Sequence, residues 1–130
     1  MVKETIKYED YNGNELEETF LFDLSEAETM ELELTTPGGL TEYITRIVNA
    51  QNTPEIIKIF KKIILLAYGE KSLDGKRFVK SEELSTAFSQ TKAYSKLFMK
   101  LSTDAVAAAN FINGIVPQKA ETASTPTVVK

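Results

Sequence analysis

The N-terminal residues alternate between apolar and polar side chains with a period of two. The apolar members of this pattern all fall at even positions: Val2, Ile6, Tyr8, Leu16, Phe20, Phe22 and Leu24. Such alternation, built from β-branched and aromatic residues, is typical of strands with one buried face. Asn12-Gly13-Asn14 interrupts the pattern and predicts a turn. We therefore predict an antiparallel β-hairpin over residues 1–24.

The loop of this hairpin must keep the apolar side chains on one face of the sheet. A two-residue loop at Asn12-Gly13 pairs even positions with odd ones, which sets apolar residues against polar ones. A three-residue loop at 12–14 pairs Ile6 with Phe20 and leaves one face apolar. We predict this three-residue loop, or a five-residue loop of the same parity.

A helix start signal follows the hairpin. Ser25 and Glu28 have the spacing of a capping box, in which each side chain accepts a hydrogen bond from the backbone N–H of the other residue. This spacing predicts a short acidic helix over residues 26–34. The alternative is a third strand, because apolar residues also alternate with glutamates in this segment. The Pro-Gly-Gly sequence at 37–39 ends either element.

The middle of the chain predicts two amphipathic helices. The apolar stripe of the first helix falls on Leu40, Tyr43, Ile44, Ile47 and Val48. Thr53 and Pro54 are typical of the N-cap and first turn of the second helix, which we expect to stop at Gly69. Apolar residues cover most of this helix after Phe60, which predicts a central, buried helix. Its solvated side is expected to consist of Lys58, Lys61 and Lys62.

The remaining residues predict a connector and three more helices. Residues 70–80 are mainly polar and form the connector, with Phe78 and Val79 as its anchor. Ser81 and Thr91 are the expected N-caps of the first two helices, and Ser102-Thr103-Asp104 is expected to start the third. The last helix is predicted from Ala105 to about Asn113, with Gly114 as its stop.

Together these elements predict an α+β fold that is mainly α, with the N-terminal β-hairpin packed on a bundle of five or six helices. We expect one globular domain over residues 1–117, divided into the hairpin (1–24) and a helical part (25–117). Residues 118–130 are rich in Thr, Ala, Ser and Pro and are predicted to form a disordered tail.

The composition argues against catalysis. The chain has no histidine and no cysteine, which removes the commonest general base, the thiol nucleophile and every nitrogen or sulfur metal ligand. Asp10 begins one segment, and Asp74 lies within another, that match a calcium-binding loop only in part. We therefore interpret both segments as turns. No phosphate-binding glycine loop or nucleophile elbow is present. We predict a non-enzymatic protein with no cofactor or metal.

The charge is unevenly distributed. Residues 1–36 contain eleven acidic and two basic residues, whereas residues 37–130 contain thirteen basic and eight acidic ones. Oppositely charged parts suit docking onto a partner or onto another copy. The overall net charge of −4 argues against nucleic acid as a partner. No secretory signal is apparent and no apolar run approaches the roughly 20 residues of a membrane span, so we expect no membrane contact.

One set of charged residues is a candidate interaction surface. Lys92, Lys96 and Lys100 recur every four residues and therefore share one side of a helix. Such a stripe is often only the solvated side, but it also fits an acidic surface, and the N-terminal third supplies one within the chain. We hypothesise that Glu31 and Glu33 of one copy meet these lysines on a neighbour.

Several segments resemble one family of phage proteins. The segments are 38–43 (GGLTEY), 60–65 (FKKIIL), 67–72 (AYGEKS), 74–84 (DGKRFVKSEEL), 94–99 (YSKLFM) and 111–117 (FINGIVP). They resemble the tail assembly chaperones of long, non-contractile-tailed phages and prophages of Gram-positive bacteria. The resemblance spans nearly the whole chain and fades after Pro117. Its motifs are structural, so they point to a family without locating a reaction.

The resemblance implies a role in tail assembly. Members bind the tape-measure protein and the tail-tube subunits, coat the tape measure until tube subunits replace it, and are absent from the finished virion. We therefore expect a homo-oligomer in the host bacterial cytoplasm. The family often has a longer, frameshifted form, which here would extend from residues 118–130. The alternatives are a structural virion component, such as a tail or head–tail connector subunit, and a small acidic regulator acting through residues 1–36.

Overall fold

The computed structural model describes residues 1–49 and 54–117, without the side chains of residues 47, 48, 55 and 56. These ranges contain four strands and six helices. In chain order they are β1 (Val2–Glu9), β2 (Glu15–Phe22), α1 (Glu26–Thr35), α2 (Gly39–Val48), α3 (Pro54–Ala67), β3 (Tyr68–Lys71), β4 (Phe78–Val79), α4 (Glu82–Ser89), α5 (Lys92–Thr103) and α6 (Ala105–Ile115). The fold class, α+β and mainly α, is confirmed. The tail predicted for 118–130 lies outside the described residues.

The N-terminal hairpin forms with the predicted parity, and the five-residue loop that was predicted as the alternative is confirmed. Ile6 lies opposite Glu18, so the pairing of Ile6 with Phe20, which belongs to the three-residue loop, is wrong. The loop has five residues, 10–14, because the Asp10 carboxylate accepts hydrogen bonds from the backbone N–H groups of Asn12 and Asn14, both at 2.9 Å. These bonds place Asp10 in the turn and shift the pairing by two residues, which leaves the even positions on one face.

A second hairpin occupies the segment that was predicted to be a polar connector. β3 and β4 pair with each other, and β3 also pairs with β2 through Leu21–Gly69 and Phe22–Tyr68, which makes a four-stranded antiparallel sheet in the order β1-β2-β3-β4. Gly69 was expected to stop α3 but lies inside β3. A Cβ atom at this position would lie 2.8 Å from the Val79 carbonyl oxygen, so the residue must be glycine for β4 to approach.

Helix α1 confirms the capping-box prediction and excludes the alternative of a third strand. The Ser25 hydroxyl accepts from the Glu28 N–H at 3.1 Å, and the Ser25 N–H donates to the Glu28 carboxylate at 2.9 Å. Leu32 is the buried residue of this helix, and Thr36 caps its end. Gly38 and Gly39 follow with positive φ angles and turn the chain into α2.

Helices α2 and α3 follow the predicted apolar stripes where they are described. Leu40 and Tyr43 of α2 are buried. Ile47 and Val48 belong to the same predicted stripe, but their side chains are not described, and the predicted N-cap Thr53 lies outside the described residues. On α3 the buried side chains are Phe60, Ile63, Ile64 and Ala67, whereas Lys58, Lys61 and Lys62 are exposed as predicted.

The two predicted N-caps, Ser81 and Thr91, are confirmed, and the predicted start at Ser102-Thr103-Asp104 is confirmed with Asp104 as the cap. Each of these three caps accepts a hydrogen bond from a backbone N–H in the first turn of the helix that follows. α6 continues to Ile115, so the predicted stop at Gly114 is wrong. A Cβ atom at Gly114 would lie 2.6 Å from Val2 Cγ2, which indicates that glycine is present to let β1 approach the helix.

An aromatic cluster joins the sheet to the C-terminal helices. Tyr68 stacks on Phe88 with ring centroids 4.4 Å apart, and Phe22 meets the edges of Phe88 at 5.8 Å and Phe111 at 5.2 Å. Phe22 is fully buried. The core therefore lies between the even-numbered face of the hairpin and the helices, and it fixes α5 beside β1.

Candidate interaction surfaces

The predicted lysine stripe lies against the N-terminal hairpin of the same chain. α5 buries Ala93, Leu97 and Leu101 on its inner side. Lys96 Nζ donates to the Lys7 carbonyl oxygen at 2.7 Å.

The other two lysines also reach the hairpin. Lys100 Nζ lies 3.4 Å from Glu4 Oε1, and Lys92 Nζ lies 4.8 Å from the centre of the Tyr11 ring. All three lysines thus contact the acidic N-terminal third within the chain. Whether they also meet a neighbouring copy stays a prediction.

Lys96 covers part of a sheet edge. Among residues 1–49 and 54–117, β1 pairs only with β2, so its other side forms an edge of the sheet. The ammonium group of Lys96 occupies one position on this edge, at the Lys7 carbonyl. A charged side chain over an edge strand discourages pairing with a further strand. We infer that the lysine stripe protects this edge.

The two predicted glutamates lie on α1, and they have different surroundings. Glu33 Oε1 accepts a hydrogen bond from the Leu40 N–H at 3.0 Å and thereby caps the start of α2. The Glu31 side chain is exposed. Glu33 therefore connects α1 to the start of α2, whereas Glu31 remains on the surface.

Beside these glutamates α1 exposes two large apolar side chains. Met30 is 62% exposed and Leu34 is 79% exposed. They lie in a shallow groove of about 420 Å³ lined by Glu26, Thr29, Met30, Glu33, Leu34 and Pro117. This apolar surface could not be identified from the sequence, because apolar residues at these positions are as compatible with a core as with a surface. Exposed apolar groups of this kind mark interaction sites when they are grouped.

The pKa values of Glu28 and Tyr8 are both shifted by hydrogen bonds. Burial raises the pKa of Glu28, but hydrogen bonds from Lys80 Nζ and the Ser25 N–H outweigh it, so the pKa is lowered overall. The Tyr8 hydroxyl donates to the Glu18 carboxylate, and this bond raises the pKa of Tyr8 to about 12. Both interactions favour the protonation states that these groups already have at neutral pH, so they serve structure and not proton transfer.

The loop aspartates hold their own turns. The Asp74 carboxylate accepts from the Ser72 hydroxyl at 2.6 Å, and this bond is the main reason that the pKa of Asp74 is lowered. Asp10 is held in the same way by the backbone of Asn14. Within the described residues no group of three or more His, Cys, Asp or Glu residues is placed to hold a metal ion.

No helix in residues 1–49 or 54–117 has the length and apolar character needed to cross a membrane. A search of curated proteins and a search of solved structures found no significant match. A comparison with protein-family models matched residues 1–126 to the family described as phage tail assembly chaperone. The family predicted from the sequence is thereby confirmed: the chain belongs to the phage tail assembly chaperones.

Proposed function

We propose that this chaperone binds the tape-measure protein and the tail-tube subunits in the cytoplasm of the host, without catalysing a reaction, and leaves before the virion is complete. The observation that carries the proposal is the family match, which covers residues 1–126 of 130. A long-tailed phage or prophage of a Gram-positive host is the source that the sequence resemblance favours.

The surface of the chain supports a role in binding. Exposed apolar side chains on α1 lie among carboxylates, so the surface can cover apolar groups of a partner while the complex stays soluble. A carrier for an aggregation-prone protein needs this combination. In the described residues the carboxylates with lowered pKa values are occupied by helix-capping or turn hydrogen bonds, which fits binding better than acid–base chemistry.

Co-expression with the tape-measure protein of the same phage tests the proposal. We expect the tape measure to be insoluble alone and soluble with the chaperone, and the two proteins to elute together. Met30→Ser/Leu34→Ser tests the α1 surface, with Leu73→Ser as the matched control because Leu73 is fully exposed on the loop between β3 and β4. A tape measure that stays insoluble, in the presence of folded chaperone, contradicts the proposal.

Mass spectrometry of purified particles tests the predicted departure of the chaperone. An assembly factor is expected in infected cells and missing from mature phage. A constant number of copies per particle contradicts this part of the proposal and favours the alternative, a structural tail or connector subunit.

A further inference from the structure

A groove runs between the edge strand β1 and helix α5. Its volume is about 580 Å³, and its lining includes residues 4–7 of β1 together with Leu97 and Met99 of α5. Ile6 and Leu97 are buried, whereas Met99 is 56% exposed. An open sheet edge can accept an extended peptide as an additional strand. The groove combines such an edge with apolar side chains that can contact the peptide.

The odd-numbered residues of β1 direct their backbone groups away from β2. The Lys7 carbonyl oxygen accepts a hydrogen bond from Lys96 Nζ at 2.7 Å, so this carbonyl points toward α5. In an antiparallel strand the N–H and C=O groups of one residue point to the same side, and this side alternates along the strand. The backbone groups of Thr5 therefore face the same way as those of Lys7. These two residues present the hydrogen-bonding pattern to which a fifth strand can pair.

The charge of the groove favours an acidic ligand. Three of the described residues that line it are lysines, and one is acidic: Lys7, Lys96, Lys100 and Glu4. Lys100 Nζ lies 3.4 Å from the Glu4 carboxylate, but the Lys100 side chain is 58% exposed. Lys7 Nζ lies 4.0 Å from Glu17, and both of these side chains are mostly exposed. Such exposed ion pairs are weak, so these lysines remain able to bind a carboxylate of a partner.

We propose that this groove binds an extended acidic segment of another protein, which adds to β1 as a fifth strand of the sheet. A segment of about four residues, or roughly 13 Å, matches the length of β1 from Glu4 to Lys7. An N–H of the segment replaces Lys96 at the Lys7 carbonyl, and the released ammonium group pairs with a carboxylate of the segment. A neutral strand offers no such exchange, so Lys96 discourages uncharged edges and admits acidic ones.

The acidic part of the segment is confined to one half of β1. A second hollow lies nearer the hairpin loop, and its lining includes Glu9, Glu15 and Glu17. These carboxylates repel an acidic ligand, so its charged residues are expected beside residues 3–7. The site is separate from the exposed apolar pair on α1 and does not depend on the proposed binding of the tape measure.

Fluorescence anisotropy with the full chain tests the charge preference. The probe is a labelled hexapeptide in which glutamate alternates with valine, and the matched peptide has lysine in place of glutamate. We expect the acidic peptide to bind at least about tenfold more tightly, and to bind more weakly as salt is added. Lys96→Glu is expected to weaken its binding at least about tenfold. Lys62→Glu, the same charge change on an exposed position of α3, is expected to leave binding unchanged.

A proline substitution tests whether the peptide binds as a strand. Thr5→Pro removes an N–H that faces the groove and keeps the hydrogen bonds between β1 and β2. Thr5→Val is the matched control, because it loses the same hydroxyl contact with Thr19 but retains the N–H. We expect folded Thr5→Pro, and not Thr5→Val, to bind the acidic peptide at least about fivefold more weakly. In the wild type, the peptide is expected to slow amide hydrogen exchange at Thr5 and Lys7.

Four results overturn the proposal. An acidic peptide that binds no better than the lysine peptide contradicts the charge preference. Unchanged amide exchange at Thr5 and Lys7 in the peptide complex contradicts strand addition. A helical peptide of equal charge that competes equally well assigns the groove to an acidic helix. Protection of the same two amides that rises with protein concentration, without peptide, assigns the edge to a second copy.

Discussion

Lys80 Nζ lies 2.7 Å from Glu28 Oε1 and 2.6 Å from the carbonyl oxygen of Asp23. Lys80 directly follows β4, whereas Glu28 belongs to the first turn of α1. One ammonium group therefore joins the end of the second hairpin to the start of the first helix. The Lys80 and Glu28 side chains are only 19% and 29% exposed, so their hydrogen bonds are partly shielded from water.

Lys80→Met is expected to lower the free energy of unfolding by about 2 kcal/mol, because it leaves a half-buried carboxylate and a backbone carbonyl without their charged donor. Urea unfolding followed by circular dichroism measures the change. Lys76→Met is the matched control on an exposed loop position and is expected to change stability by less than about 0.5 kcal/mol. Equal effects of the two substitutions would show that the Lys80 contacts are energetically neutral.

The pH dependence of stability is expected to include a contribution from Glu28. Although burial raises its pKa, hydrogen bonds from Lys80 and Ser25 hold the folded-state pKa below the ordinary value of 4.5. The stabilisation is therefore complete above about pH 4.5 and is lost as the pH falls through the lower folded-state pKa. Urea unfolding between about pH 5 and pH 3 should show a smaller loss of stability for Glu28→Gln than for the wild type.

Part of the acid sensitivity should survive in Glu28→Gln. Hydrogen bonds also lower the pKa values of Asp10 and Asp74. These two carboxylates therefore also lose their stabilising effect as the pH falls. An unchanged pH profile in Glu28→Gln would mean that the Lys80–Glu28 contact does not persist in solution.

Gly69→Ala is expected to destabilise the fold by about 3 kcal/mol, because the new methyl group would overlap the Val79 carbonyl and the Phe78 ring. Thermal and urea unfolding measure the loss. Gly75→Ala is the comparison: its φ of +74° disfavours alanine by about 1 kcal/mol, but no atom lies within 4 Å of the added carbon. A smaller effect at Gly69 than at Gly75 would contradict the close approach of β4 to β3.

Lys96→Ala/Lys100→Ala is expected to lower stability by about 1 kcal/mol, since both lysines contact the hairpin through partly exposed bonds. Amide hydrogen exchange in β1 should accelerate, because the edge of the strand loses its cover. Loss of association between copies in this variant, with the hairpin still folded, would favour the hypothesis that these lysines meet Glu31 and Glu33 of a neighbour.

The helix starts could be predicted because they depend on local hydrogen bonds. Ser25, Ser81 and Thr91 each bind a backbone N–H three residues ahead, and this spacing is visible in the sequence. The β3–β4 hairpin could not be predicted in the same way. Tyr68 pairs with Phe22, which lies 46 positions earlier, and β4 has only two residues. Such pairing depends on the tertiary fold and leaves little local signal.

The candidate surface was predicted in part. The sequence identified the charges of Glu31 and Lys96, and it allowed for an internal contact of the lysines. It did not reveal that β1 supplies that contact, because the helical spacing of lysines says nothing about which strand lies beside them. Nor did it distinguish exposed Leu34 from buried Leu32, since two leucines in an acidic helix give no clear apolar stripe.

The pairing of Phe22 with Tyr68 also has a consequence for synthesis on the ribosome. At the usual rate of about 5–20 residues per second, β2 is made roughly 2–9 seconds before its partner strand. During this interval Phe22 lacks both Tyr68 and Phe88, so the nascent hairpin presents aromatic side chains to solvent. This tail assembly chaperone thus passes through a stage in which its own aromatic residues are exposed, and slow translation of residues 23–67 is expected to lower its yield.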